Sequence, residues 1–429
     1  NTYNMRNKTY TLLIPVWGTM ILASCVQKNA SVNGYVNNSV PGLHTNYPAS
    51  EENLSEAMRR NNTYDSEYPM ENELYTTFKY TELKGFDYNG GDGTISRRDP
   101  SKIIFENGKY YVWYTHRHTV CPPIGSKNAA QCDDKTPSTD WDLAEIWYAT
   151  SSDGFTWEEQ GVAVPRPPKP QIGHRSVSTP DILKYNGKYY LYYQSFNEPS
   201  GLRGDLCPVS MSYSDSPDGP WTPCGKVVVE TGKKGEWDEH IIHDPFPLVH
   251  DGKIYMYYKS GFNHRDAGGL AISDSPDGPF EKHPLNPVLN SGHEVSLFPF
   301  REGVAAMVIK AGNEHNTIQY AADWVNFKIA SFVNLMPNAP AGFILDAFTD
   351  SGNGRGILWG LCHFTGMGEK RDYSRLDRFD CDLSLDVDDR QMKEQVIYFP
   401  RSLYFQHGLT TKQLKRISED NKKIRSTLK

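Results

Sequence analysis

The sequence predicts an all-β fold, a five-bladed β-propeller preceded by a short N-terminal helical arm. Short aromatic strands recur after two-residue hairpin turns, a Ser-Asp-Ser-Pro-Asp-Gly-Pro signature recurs downstream of them, and an acidic residue opens five successive segments. Composition agrees with a large folded core. The chain has 429 residues, 38% hydrophobic and 12% aromatic, with 35 Gly and 28 Pro to shape turns. That apolar content offsets chain entropy and excludes disorder, collagen and coiled coil. The 45 basic against 52 acidic side chains leave a net charge of −7, so the chain lacks the basic footprint of a nucleic-acid binder.

Residues 1–25 read as an export signal. Four residues precede Met5 and look like an artefact of the translated start; Arg6 and Lys8 then lead into an apolar stretch over 10–22, too short to span a bilayer. It ends in Leu22-Ala23-Ser24-Cys25, which resembles the box of bacterial lipoproteins, whose cysteine is lipidated. A periplasmic or cell-surface protein is therefore expected, attached to the membrane only through Cys25. Residues 26–50 are rich in Asn, Ser and Gly and read as a flexible tether. Over 51–80 the pattern changes: Ala49-Ser50-Glu51-Glu52 offers a helix start, and Leu54, Ala57 and Met58 recur at helical spacing. The propeller is assigned to 81–405 and a C-terminal tail to 406–429.

Without Cys25, six cysteines remain: Cys121, Cys132, Cys207, Cys224, Cys362 and Cys381. An even count in an exported chain permits disulfides, and pairing in sequence order is the expectation. The spacings fit no zinc ribbon.

The acidic starts are Asp99, Asp181, Asp244, Glu294 and Asp346, separated by 82, 63, 50 and 52 residues, close to blade length plus insertions. Asn107-Gly108, Asn186-Gly187 and Asp251-Gly252 mark tight hairpins, each followed by an alternating aromatic strand such as Tyr189-Tyr190-Leu191-Tyr192-Tyr193. Ser151-Ser152-Asp153-Gly154, Ser214-Asp215-Ser216-Pro217 and Ser273-Asp274-Ser275-Pro276 open the recurring outer element. Each repeat thus holds about four strands, and radial closure hides their edges.

In a propeller the first strand of each blade lines the central channel, so the acidic starts would converge at one funnel mouth. Crowded carboxylates push one another's pKa values apart, which separates a proton donor from an acceptor. Asp181 and Asp346 supply the acids of the second and fifth repeats. Arg98, His174, Arg175 and His264 are further candidates for holding sugar hydroxyls, and Trp141, Trp237 or Trp324 for stacking on a sugar face.

The acidic pattern, the outer-strand signature and Asn290-Ser291-Gly292-His293-Glu294 together resemble glycoside hydrolase family 117, which shares its propeller with families 43 and 32. The resemblance spans residues 54–404. It implies Asp99 as the general base activating water, Asp244 as the group that orients the sugar and tunes a partner's pKa, and His293 as the general acid. Glu294 would correspond to the acid of the related families. Family members remove terminal 3,6-anhydro-L-galactose from agar oligosaccharides by hydrolysing an α-1,3 bond with inversion. Inversion needs the base and acid roughly 6.5–9.5 Å apart, with room for water. The resemblance also implies a homodimer that exchanges the helical arm. The chemistry requires no cofactor, although the funnel acids could hold a divalent cation. Two alternatives follow from the same residues: a family 43-type α-L-arabinofuranosidase or β-xylosidase using Asp99, Asp181 and Glu294, and a non-catalytic sugar-binding propeller.

Overall fold

A computed structural model describes residues 35–37, 46–48, 54–63, 74–203, 205–262, 265–290, 292–310 and 314–393. The signal 1–25, the tail 406–429 and His264 lie outside the described residues. Strands β1 (Tyr35–Asn37) and β2 (Asn46–Pro48) pair antiparallel within the segment read as a tether. Helix α1 (Glu56–Thr63) follows, then β3 (Lys79–Glu82). Ser55 Oγ accepts the Met58 amide at 3.3 Å and caps α1, while Leu54, Ala57 and Met58 bury together at the helical spacing read from the sequence.

The remaining strands form five antiparallel sets in chain order. The first set contains β4 (Ile95–Arg98), β5 (Ile104–Glu106), β6 (Lys109–His118), β7 (Glu145–Ser151) and β8 (Glu158–Val164), with β4 and β5 sharing one edge of β6. The second contains β9 (Ser176–Tyr185), β10 (Lys188–Phe196), β11 (Val209–Ser214) and β12 (Thr222–Val229). The third contains β13 (His243–His250), β14 (Lys253–Phe262), β15 (Arg265–Ser273) and β16 (Glu281–Lys282). The fourth contains β17 (Ser296–Arg301), β18 (Gly303–Val308), β19 (Thr317–Ala321) and β20 (Lys328–Phe332). The fifth contains β21 (Ala341–Gly342), β22 (Gly354–Met367) and β23 (Tyr373–Ser384), and β3 from the N-terminal side completes it. A short pairing of Phe300 with Arg355 joins the last two sets into one sheet. Helix α2 (Arg390–Lys393) ends the described chain. Among the described residues no helix is long and apolar enough to cross a membrane.

The hairpins form where Asn-Gly and Asp-Gly place them. Asn107 and Gly108, Asn186 and Gly187, and Asp251 and Gly252 all take positive φ, which matches the right-handed twist of the strands they join. Alternate aromatics of the second strands then bury between neighbouring sets. Trp113, wholly buried, stacks near Tyr148 of its own set and meets Trp221 of the second edge-on at 5.8 Å.

The expectation of paired cysteines is corrected, because all six described cysteines are free. Cys362 and Cys381 lie on adjacent strands but out of register: Cys362 stands opposite Asp377, and the Cys381 thiol lies 3.7 Å from the Ile357 carbonyl. Cys207 is buried against the Ile242 carbonyl, whereas Cys224 turns to the Lys226 carbonyl on an edge strand.

Candidate active site

Five residues in or beside the innermost strands take left-handed backbone: Asp99 (φ 48°), Thr179 (49°), Asp244 (51°), Glu294 (61°) and Ala339 (44°). Four of them precede proline: Pro100, Pro180, Pro245 and Pro340. Proline removes a ladder donor, and the pairing of β9 and of β13 shifts register beside these dipeptides. Left-handed non-glycine residues carry strain and cluster at functional sites. The repeat therefore falls on Thr179 and Ala339, where the sequence reading took Asp181 and Asp346.

The two displaced acids lie elsewhere. Asp181 turns inward to an ion pair with Lys102. Asp346 accepts the Arg355 amide at 2.7 Å in a separate crevice with His250 and Trp324. Asp99, Thr179, Asp244 and Glu294 do meet, at the floor of a cleft of about 600 Å³. Its walls include Trp141, Gln194, Phe196, His243, Lys259 and His293.

Asp99 is 3% exposed, and one of its oxygens is saturated. Oδ2 accepts Arg98 Nε at 2.9 Å and the hydroxyls of Thr115 and Thr179 at 3.2 Å each, while Oδ1 makes no well-aligned hydrogen bond among the described residues and lies 3.3 Å from His363 Nδ1. Burial pushes this carboxyl up, but the Arg98 guanidinium and His363 outweigh it and hold it below the usual carboxylate range. Glu294 is buried too. Arg98 Nη2 donates to its Oε1 at 2.9 Å, and its amide donates to Asp244 Oδ2 at 3.1 Å. Burial again opposes ionisation, yet His363, His293 and Lys310 hold Glu294 well below its ordinary value. Lys259 lies 3.3 Å from Asp244 Oδ2; burial works against its charge, but Asp244, Asp266 and Glu294 raise its pKa.

His293 differs from these fixed groups. Its amide donates to the Ile309 carbonyl at 2.9 Å, its side chain keeps 32% of its surface exposed, and Nδ1 lies 3.6 Å from Glu294 Oε1. Behind the floor stands His363, which sequence reasoning missed. Its Nδ1 accepts the Asp99 amide at 3.1 Å, and its Nε2 lies 3.6 Å from Glu294 Oε2. Asp99, Glu294 and His363 each offer a ligand atom within 4.8 Å of the others, and Asp99 Oδ1, Glu294 Oε2 and His363 Nε2 are buried without hydrogen-bond partners among the described residues. Two carboxylates and an imidazole fit a divalent cation.

The other sequence candidates separate clearly. Arg98 lines the cleft, but Asp99, Glu294 and Asp140 engage its Nε, Nη2 and Nη1, so its edge is committed to carboxylates. Arg175 is buried on Asp142, with donors at 2.7 and 2.6 Å, and is absent from the cleft lining. His174 sits outside the cleft with Nδ1 on the Gln171 carbonyl. Thr179 was legible in principle through the X-Pro dipeptide that recurs in or beside four of the five inner strands; Lys259 and His363 carry no comparable signal.

The family model for glycosyl hydrolases family 43 matches residues 94–266. Among curated proteins, xylosidase/arabinosidase 43A of Humicola insolens is 26% identical over 165 residues, which cover 38% of this chain and 43% of that protein. The chain thus matches less than half the length of that relative. Among solved structures, Zg3597, a family 117 glycoside hydrolase produced by the marine bacterium Zobellia galactanivorans, is 64% identical with a TM-score of 0.75. That match covers 78% of this chain and 98% of the other. A further glycoside hydrolase structure, 12% identical with a TM-score of 0.52 over 77% of this chain and 96% of its own, shares the fold.

Proposed function

We propose, for a chain that belongs to glycoside hydrolase family 117, that it removes a terminal non-reducing sugar by inverting hydrolysis, with Asp99 as general base and His293 as general acid. The sugar is 3,6-anhydro-L-galactose or a close relative, released from agar-type oligosaccharides. Asp99 takes a proton from water as the water oxygen bonds to the anomeric carbon. The bond from that carbon to the glycosidic oxygen breaks, and His293 donates a proton to the departing oxygen. Atoms balance as one water consumed and one bond cleaved.

The observation that carries this assignment is the contrast between Glu294 and His293. Glu294 is held ionised and pinned to Arg98, and it has an oxygen within 4.8 Å of one on Asp99, closer than the roughly 6.5–9.5 Å that an inverting pair of carboxyls needs. His293 is the neighbouring proton carrier that stays accessible to a ligand. The family 43-type assignment also needs Asp181 at the sugar, and Asp181 is committed to Lys102.

A divalent cation would be held by Asp99, Glu294 and His363. When bound, it would neutralise the two carboxylates; ligation through Nε2 would require the His363 proton on Nδ1 and cost the bond from the Asp99 amide. The homodimer reading rests on the family resemblance of the helical arm; within this one chain α1 docks through Arg60, which forks onto Glu314 at 2.9 and 3.1 Å. Export as a lipoprotein rests on the Leu22-Ala23-Ser24-Cys25 box.

The test is hydrolysis of a panel of agar, carrageenan, porphyran and arabinan oligosaccharides, with proton NMR of the fresh product. Release of 3,6-anhydro-L-galactose with inverted anomeric configuration is expected from the agar series. Release of arabinose or xylose, or a retained configuration, contradicts the reading.

A further inference from the structure

We propose that Trp141 is the platform on which the ring of the terminal sugar stacks, and that Arg175 is the positioning residue that holds it in place. The proposal rests on the glycosidase reading above and deepens it by assigning what recognises the sugar.

Of the three tryptophans singled out in the sequence, two are committed to packing. Trp237 is buried and stacks on Tyr258 at 5.9 Å, and Trp324 stacks on His250 at 4.1 Å with its indole N–H on the Glu302 carbonyl. Trp141 lines the catalytic cleft. The guanidinium of Arg98 covers its ring at 4.7 Å from the centroid. Because the Arg98 edge is taken by Asp99, Glu294 and Asp140, the plane against which the indole rests is fixed. The indole therefore stands beside the base, where the sugar that water attacks must lie. An immobilised indole suits the apolar C–H face of a neutral sugar ring.

The segment that presents Trp141 is stretched between two arginines. Asp140 accepts Arg98 Nη1 at 2.7 Å. Asp142 accepts Arg175 Nε at 2.7 Å and Nη2 at 2.6 Å, and also takes the Ser138 amide and hydroxyl. Between them, the Trp141 carbonyl accepts the Ser176 hydroxyl at 2.6 Å. Arg175 further donates to the carbonyls of Asp133 and Thr136, so one buried guanidinium gathers the end of the connection from β6 to β7. A lysine ammonium cannot reproduce that planar fork.

A double-mutant cycle tests both parts, on the agar disaccharide that carries terminal 3,6-anhydro-L-galactose. W141A is expected to raise KM on the order of tenfold, with W141F intermediate. R175K should raise KM in the wild-type background but by less than about twofold in W141A, because its effect passes through the indole. An unchanged KM in W141A overturns the platform. A full R175K loss in the W141A background overturns the positioning role. A substrate-free arm measures acrylamide quenching of tryptophan fluorescence, with W141F subtracted to isolate Trp141. R175K should increase that quenching, and equal quenching overturns the positioning role. A wild-type enzyme that hydrolyses none of the panel would sink the proposed reaction instead, while the quenching arm still decides what Arg175 does.

Discussion

The Lys102 ammonium and the Asp181 carboxylate form an ion pair almost entirely out of water, their side chains 1% and 5% exposed. Asp181 Oδ1 also accepts the Lys102 amide at 2.8 Å, and the ammonium lies 3.9 Å from the centre of the Phe246 ring. Burial strips hydration from both charges. It pushes Asp181 up and Lys102 down to about 8, against their mutual attraction. The pair therefore links inner strands of three sets at an electrostatic cost. Removing either partner strands the other charge, so K102M or D181N is expected to lose about 3–5 kcal/mol. The double variant K102M/D181L should lose less than the two single losses together. Urea denaturation followed by circular dichroism measures this, and strictly additive losses would contradict the pairing.

Asp377 sets a pH dependence of stability. Buried on β23, its carboxyl is raised to about 7 because lost hydration outweighs Arg375 at 3.0 Å. The folded state then holds this proton more tightly than the unfolded chain, whose aspartates titrate near ~3.9. The stability it contributes is fully present below that unfolded value and is lost as pH rises through about 7. D377N keeps the shape without the titration, and Arg375 still has Glu82 at 3.2 Å. Unfolding free energies from urea titrations at pH 4 and pH 8 should differ less in D377N than in wild type, by a few kcal/mol at most. An undiminished difference would refute the assignment.

The proton donor can be separated from the base by the leaving group. On an oligosaccharide, H293N and D99N are each expected to lose on the order of 10²-fold or more in kcat. On an aryl glycoside whose nitrophenolate departs without a proton, H293N should recover most of its activity and D99N none. Equal losses on both substrates would remove His293 from the acid role.

One side chain bridges the joint between the fifth and first sets, beside backbone contacts such as the Ile103 amide on the Gly342 carbonyl at 3.1 Å. The Arg378 guanidinium lies between the rings of Phe155 and Trp359, at 4.0 and 4.1 Å, and its Nε and Nη2 donate to Asp380 Oδ1. R378M keeps much of the stem but loses the charge, with an expected cost of about 1–3 kcal/mol. Differential scanning calorimetry reads it directly. An unchanged Tm would mean that the sandwich adds nothing to closure.

Legibility from sequence followed the range of the interactions. Asn107-Gly108 announces a hairpin because the backbone geometry is local, and the aromatic alternation after it survives as buried rings. Asp99, Asp244, His293 and Glu294 were readable from their motifs and do line one cleft. Asp181 was misplaced because a bulge at Thr179-Pro180 shifts the inner register, and acidity alone does not mark that shift. His363 was invisible for another reason: it meets Asp99 across 264 residues, and nothing in its own strand distinguishes it from a packed histidine.

The strand that completes the fifth set comes from the other end of the fold, since Glu82 of β3 pairs with Asp377 of β23 across 295 positions. Synthesised from its amino end, the chain must keep β3 soluble and unmated until that distant partner arrives. The ring can therefore latch only as a last, long-range event, and an intermediate with both rims open is the state most exposed to proteases and to mispairing with a second copy.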